Sequence, residues 1–122
     1  MITLYTSATP NGRKISVALE ELALDYQVKD INLVENIQKE DWYLKINPNG
    51  KIPAIIDHDK NNIAIFESGA ILIYLAEKAG RLLPTDTVNR FNVMQWLFLQ
   101  IGGVGPMQGQ ANVFYRYMEN SI

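Results

Sequence analysis

Apolar and polar positions change their spacing along the chain, and each change marks an element. Ile2 to Thr6 is a short β-type run that ends in the turn formers Ser7-Ala8-Thr9-Pro10-Asn11-Gly12, so a strand should open into a polar loop. From Arg13 the period becomes helical, with Ile15, Ala18, Leu19 and Leu22 on one side and Arg13, Lys14, Glu20 and Glu21 on the other. Tyr26, Val28, Ile31 and Leu33 then alternate imperfectly around Asp30 and Asn32, which predicts a second strand over 26–33. Strand, helix and strand in succession imply a parallel pair joined by a right-handed crossover.

The stretch from Asn36 to Ile46 is polar, with Ile37, Trp42, Tyr43 and Leu44 scattered through it, and supports a helix only weakly. Asn47-Pro48-Asn49-Gly50 is a turn signal, and after Pro53 the runs Ala54–Asp57 and Ile63–Phe66 flank a polar reversal at 58–62, the pattern of an antiparallel hairpin. Ser68 is placed to cap a helix over 69–78 that buries Ile71, Leu72 and Leu75, with Gly80 as its C-terminal stop. The order to this point is βαβαββα. A linker at 82–87 leads to a second helix from near Val88 that carries Phe91, Met94, Trp96, Leu97 and Phe98. Gly102-Gly103-Val104-Gly105-Pro106 should kink or break that helix. The expected division is thus 1–81, a linker over 82–87, and an incomplete helical segment over 88–122.

Composition narrows the function. At 48% hydrophobic and 20% charged residues the chain has the balance of a folded globular protein. A net charge of −2 with scattered Lys and Arg offers no basic stripe, which argues against a nucleic-acid partner. Neither a secretory leader nor an apolar run near the ~18 residues of a membrane span is visible, so no membrane association and a cytoplasmic location are expected. Cysteine is absent, which excludes disulfide staples, thiolate metal sites and a cysteine nucleophile. Any thiol chemistry must use a thiol carried by a ligand. The single histidine, His58, lies between Asp57 and Asp59 where the hairpin reverses, and reads as a turn residue rather than a metal ligand. No metal is expected, and no phosphate loop, nucleotide fingerprint or catalytic triad is present.

Three segments in this order and spacing, Thr9-Pro10-Asn11-Gly12, Asn47-Pro48-Asn49-Gly50-Lys51-Ile52-Pro53-Ala54-Ile55 and Phe66-Glu67-Ser68-Gly69-Ala70-Ile71, resemble the glutathione transferase family. The Thr-Pro-Asn loop, with Gln95-Trp96-Leu97 and Gly102-Gly103-Val104-Gly105-Pro106-Met107, looks most like its nu class, which includes bacterial disulfide-bond reductases and is similar to the globular domain of a fungal nitrogen-regulating prion protein. The resemblance implies an α/β fold: a thioredoxin-like, four-stranded mixed sheet in 1–81, followed by the beginning of an all-helical domain. It also implies glutathione, reduced or oxidised, as cosubstrate, and a homodimer.

A thiol becomes a good nucleophile on ionisation, which a helix N-terminus and nearby donors favour. The resemblance puts the Thr9 hydroxyl and Asn11 amide at the glutathione sulfur, although both residue types also serve as plain helix caps. Tyr5 and Ser7 are rival hydroxyls, since other classes use a Tyr or Ser near this strand end. Tyr5 also suits strand packing and Ser7 a local turn bond. Ile52 and Pro53 resemble the family's cis-proline turn, whose backbone edge meets the cysteinyl part of glutathione. An ordinary trans proline opening a strand is the alternative. Glu67 and Ser68 would hold the γ-glutamyl ammonium and carboxylate, or be only a solvated acid and an N-cap. Gln38 and Lys51 would reach the glycine end. Three functions fit these residues: a glutathione-dependent disulfide-bond oxidoreductase acting on a small disulfide, a transferase conjugating glutathione to a small electrophile, and a glutathione-binding regulatory protein without turnover.

Overall fold

A computed structural model describes residues 1–117. Residues 118–122, where the expected helical segment ends, lie outside the described residues. The chain divides into two compact units at Leu82.

In the first unit, β1 (Ile2–Thr6), α1 (Pro10–Glu21), β2 (Tyr26–Asp30), β3 (Ala54–Asp57), β4 (Ile63–Phe66) and α3 (Ser68–Ala79) follow the anticipated order. A 3-10 turn (Ile37–Lys39) and the single-turn α2 (Asp41–Leu44) separate β2 from β3. The sheet order is β2-β1-β3-β4, with β1 parallel to β2 and antiparallel to β3, and β3 antiparallel to β4.

Alternation in the central strands sends side chains to two cores. Ile2 and Leu4 of β1 and Ile55 of β3 join Ile15, Leu19 and Leu22 from the α1 segment and Ile71 and Leu75 of α3. Tyr5 and Ala54 point to the other face, where they meet Ile31 and Tyr43. Each fully buried Ile or Leu here contributes roughly 1.5–3 kcal/mol, so the i, i+3, i+4 pattern of α1 is what seats it on the sheet.

Four boundaries differ from the sequence reading. Helix α1 begins at Pro10 rather than Arg13, because a proline at the first helical position lacks an N–H that would have had no partner anyway. Strand β2 ends at Asp30 rather than Leu33: the Asn32 side chain accepts from the Val34 and Glu35 N–H groups at 3.0 and 3.2 Å, turning the chain away. The weak helix over 36–46 starts only after Asn36, which is left-handed (φ 58°), and splits at Glu40, which is extended (ψ 147°). Ser68 is the first residue of α3 rather than its cap. Glu67 holds the cap position with φ 71°, and no side chain caps the helix there.

In the second unit, α4 (Thr87–Leu99) is capped by Asp86, whose carboxylate accepts from Asn89 N–H at 3.0 Å. The expected kink takes the form of a π-helical segment (Gln100–Val104) that passes into α5 (Gly105–Asn112) and a last π turn (Val113–Tyr117). Pro106 falls in the first turn of α5, directly after the π-helical segment.

Candidate functional site

One row of the sheet gathers the candidate residues. Tyr5 of β1 pairs with Ala54 of β3, and Ala54 pairs with Phe66 of β4. Because β3 runs against both neighbours, the ends of β1 and β4 lie beside its beginning. The loops 7–9, 51–53 and residue 67 therefore leave the sheet at one end.

At the β1 position, Thr9 is the N-cap of α1, and its Oγ1 accepts from the Gly12 N–H at 3.3 Å. Capping uses an oxygen lone pair and leaves the hydroxyl hydrogen able to donate, so the cap and thiolate roles are compatible in one side chain. Asn11 follows in the first turn, exposed. Gly12 is buried, and a Cβ there would stand 2.3 Å from both the Ser7 carbonyl oxygen and Thr6 Oγ1. Only glycine lets the helix start this close to the strand. The Ser7 carbonyl accepts from Thr9 N–H at 2.7 Å. Tyr5 is buried, its ring 6.2 Å from Trp42 and 6.1 Å from Tyr43, and burial pushes its phenol up. Its ring belongs to the second core.

At the β3 position, the Ile52–Pro53 peptide is cis. The Lys51 carbonyl accepts from Tyr43 Oη and Asn47 Nδ2, both at 2.7 Å, while Asn47 Oδ1 accepts from Asn49 N–H at 2.9 Å. Those bonds fix the turn that leads into Ile52. Ile52 is half-buried against the second core, Pro53 is buried, and the Lys51 side chain is exposed. The Gln38 turn lies against this loop: a Cβ on Gly50 would come within 3.1 Å of the Gln38 carbonyl oxygen. Gln38 Oε1 is buried without a hydrogen-bond partner. Such an acceptor suits a ligand N–H.

At the β4 position, Glu67 combines a left-handed backbone with an exposed side chain. Strained backbone of this kind costs on the order of 1–3 kcal/mol and gathers at functional sites. Lys14 Nζ donates to Ser68 Oγ at 3.1 Å, bridging α1 and α3. Burial pushes the Lys14 ammonium pKa down, and the neighbouring Glu67 carboxylate pulls it back up. The helical period places Lys14 on the polar side of α1. Its Lys-Ile-Ser setting carries no signal of a partner 54 residues away.

His58 belongs to the hairpin at the other end, bonded to Thr3 Oγ1 and Asn62 Oδ1, each at 2.7 Å. Among the described residues no group of three His, Cys, Asp or Glu side chains is arranged to hold a metal, and no helix is long and apolar enough to cross a membrane.

Comparison with known proteins bears on this geometry. Residues 1–77 match the family model for the glutathione S-transferase N-terminal domain. The disulfide-bond oxidoreductase YfcG of Escherichia coli is 49% identical over 118 residues, which cover 93% of this chain and 55% of that protein. A glutathione transferase family member from Pseudomonas fluorescens, solved with two glutathione bound, superposes with a TM-score of 0.94 at 44% identity, over 99% of this chain and 55% of that one. A glutathione transferase from Pseudomonas putida with one glutathione disulfide bound per subunit gives 0.93 at 40% identity, over 99% and 54%. The chain therefore spans about half the length of these relatives.

Proposed function

The chain belongs to the glutathione S-transferase family, and from that premise we propose that it is the glutathione-binding part of a glutathione-dependent disulfide-bond oxidoreductase. The observation that carries the proposal is the row Tyr5–Ala54–Phe66, which sets a thiolate-stabilising loop, a main-chain edge and a helix start side by side. Thr9 and Asn11 donate to the sulfur. Ile52, before Pro53, offers its main chain to the cysteinyl unit, Gln38 and Lys51 reach the glycine end, and Glu67 and Ser68 hold the γ-glutamyl end. Residues 1–81 bind the tripeptide, 82–87 link, and 88–122 open a helical domain. A homodimer belongs to the same proposal; Phe91, Trp96 and Phe98 on α4, which are 62%, 67% and 56% exposed, call for cover by a partner or by further chain of a longer protein.

This glutathione-binding part carries no cysteine, and in the proposed reaction both electrons come from glutathione. One glutathione thiolate attacks a sulfur of the small disulfide, forming a mixed disulfide and expelling the first substrate thiolate, which takes a proton. A second glutathione thiolate then attacks the glutathione sulfur of the mixed disulfide, releasing the second substrate thiol and oxidised glutathione. YfcG is a disulfide-bond oxidoreductase, and the Pseudomonas relatives hold two glutathione molecules or one glutathione disulfide, which supports this sequence over conjugation. Steady-state reduction of 2-hydroxyethyl disulfide by glutathione, run beside conjugation of 1-chloro-2,4-dinitrobenzene, tests it in the full-length protein. Disulfide turnover should dominate. Conjugation without disulfide reduction would assign a transferase instead, and glutathione binding without either turnover a regulatory protein.

A further inference from the structure

Lys14 lies one turn into α1, on the helix that begins at the thiol end, yet its ammonium ends on Ser68 of α3, 3.1 Å from Oγ. An ammonium has three donors and no acceptor, so Ser68 Oγ must be the acceptor in this bond. The Ser68 hydroxyl hydrogen is thereby turned toward some other acceptor. Ser68 opens α3, where the main-chain N–H groups of the first turn have no acceptor within the helix, so the oxygen that suits this position is an anion's.

A plain tie between two helices explains the contact less well. Two neutral side chains would make such a tie, whereas here a cation is partly withdrawn from water, which lowers its pKa. Glu67 offsets only part of that burial effect, and the Lys14–Ser68 contact places a positive charge beside the Ser68 hydroxyl with a negative charge one residue before it. The pair matches the carboxylate and ammonium of an α-amino acid head group.

We propose that Lys14 is a specificity-determining positioning residue, which orients the Ser68 hydroxyl as a donor and makes the site select thiols that carry the γ-glutamyl α-carboxylate. The inference rests on the proposed glutathione reading and adds to it the residue that discriminates the head group.

Isothermal titration of the full-length protein tests it, using glutathione and γ-aminobutyryl-cysteinylglycine, which is glutathione without its α-carboxylate. Hydrogen bonds to charged groups are worth enough that Lys14→Met should weaken glutathione binding by about 10-fold or more. Binding of the decarboxy analogue should change by less than about twofold, and Lys14→Arg should restore most of the glutathione affinity. In a Ser68→Ala background the added loss from Lys14→Met should shrink to under about twofold, because two residues acting as a unit are not additive. Equal weakening of both ligands would make Lys14 a structural tie and overturn the proposal, as would unchanged glutathione affinity in Lys14→Met. Failure of the unmodified protein to bind glutathione is a different result: it removes the proposed function and this inference with it.

Discussion

The two ends of the sheet in the first unit are built on opposite principles. At the hairpin end the buried polar side chains, Thr3 and Asp57, are engaged. Asp57 is fully buried and accepts from Tyr74 Oη at 2.6 Å, Lys78 Nζ at 2.7 Å and Asp59 N–H at 3.0 Å. Thr3 joins Gln27 to His58, and His58 continues to Asn62. At the loop end, Gln38 Oε1 is buried with no partner, Glu67 holds a left-handed backbone, and the Asn11 side chain faces solvent. Saturated polar groups stabilise a fold, while unsaturated ones at a fixed spacing are what a ligand can complete. The hairpin end should govern stability and the loop end affinity and rate.

The largest expected effect breaks the saturated end. Asp57→Ala leaves Lys78 and Tyr74 without their acceptor and should cost about 3–5 kcal/mol, read as a fall in the denaturant midpoint, with glutathione affinity of the folded protein unchanged. A matching loss of affinity would erase the distinction between the two ends.

At the other end, Asn11→Ala should lower the disulfide-reductase rate by roughly 10- to 1000-fold, by analogy with removing one oxyanion donor, with the unfolding midpoint essentially unmoved. Thr9→Ala should lower the rate similarly and also cost about 1 kcal/mol as a lost cap. Thr9→Ser should preserve both. Steady-state rates and chemical denaturation of the same preparations check all three.

Acid should act first on the hairpin end. Burial would raise the Asp57 carboxyl, but Lys78, Tyr74 and the Asp59 N–H together hold it at about 2. A carboxyl depressed from an unfolded value of about 3.9 contributes stability that is complete above that value and lost as pH falls through the folded one. The protein should therefore lose about 2–3 kcal/mol between roughly pH 5 and pH 1, and Asp57→Asn should flatten that part of a stability profile followed by chemical denaturation.

The smallest effect is expected at Tyr5. Its hydroxyl sits on a ring packed against Trp42 and Tyr43, so Tyr5→Phe should change the reductase rate by less than about threefold. Loss of the rate in Tyr5→Phe, with Asn11→Ala and Thr9→Ala unaffected, would reassign the thiolate donor.

Much of this architecture could be read from residue order. The runs Ile2–Thr6, Ala54–Asp57 and Ile63–Phe66 are strands because each is a short β-branched stretch bounded by turn formers. Boundaries slipped where one residue type serves two purposes. Pro10 opens a turn or a helix equally well, and Asn32 is a strand neighbour until its carbonyl caps the next turn. Glu67 could not be read as the cap position, because nothing local marks a non-glycine residue for positive φ. The Lys14–Ser68 bridge joins residues 54 apart, and no short window of sequence contains both partners.

The row Tyr5–Ala54–Phe66 also acts as a ruler. Adjacent strands lie ~4.8 Å apart, so the loops after β1 and β4 are separated by two spacings, or ~10 Å. An extended peptide advances about 3.3–3.6 Å per residue, which makes three residues the shortest chain that touches the β1, β3 and β4 positions at once. Free cysteine reaches one graduation of that scale and a dipeptide two. In the proposed site, the spacing of two strands sets the length a ligand must bridge to meet all three positions.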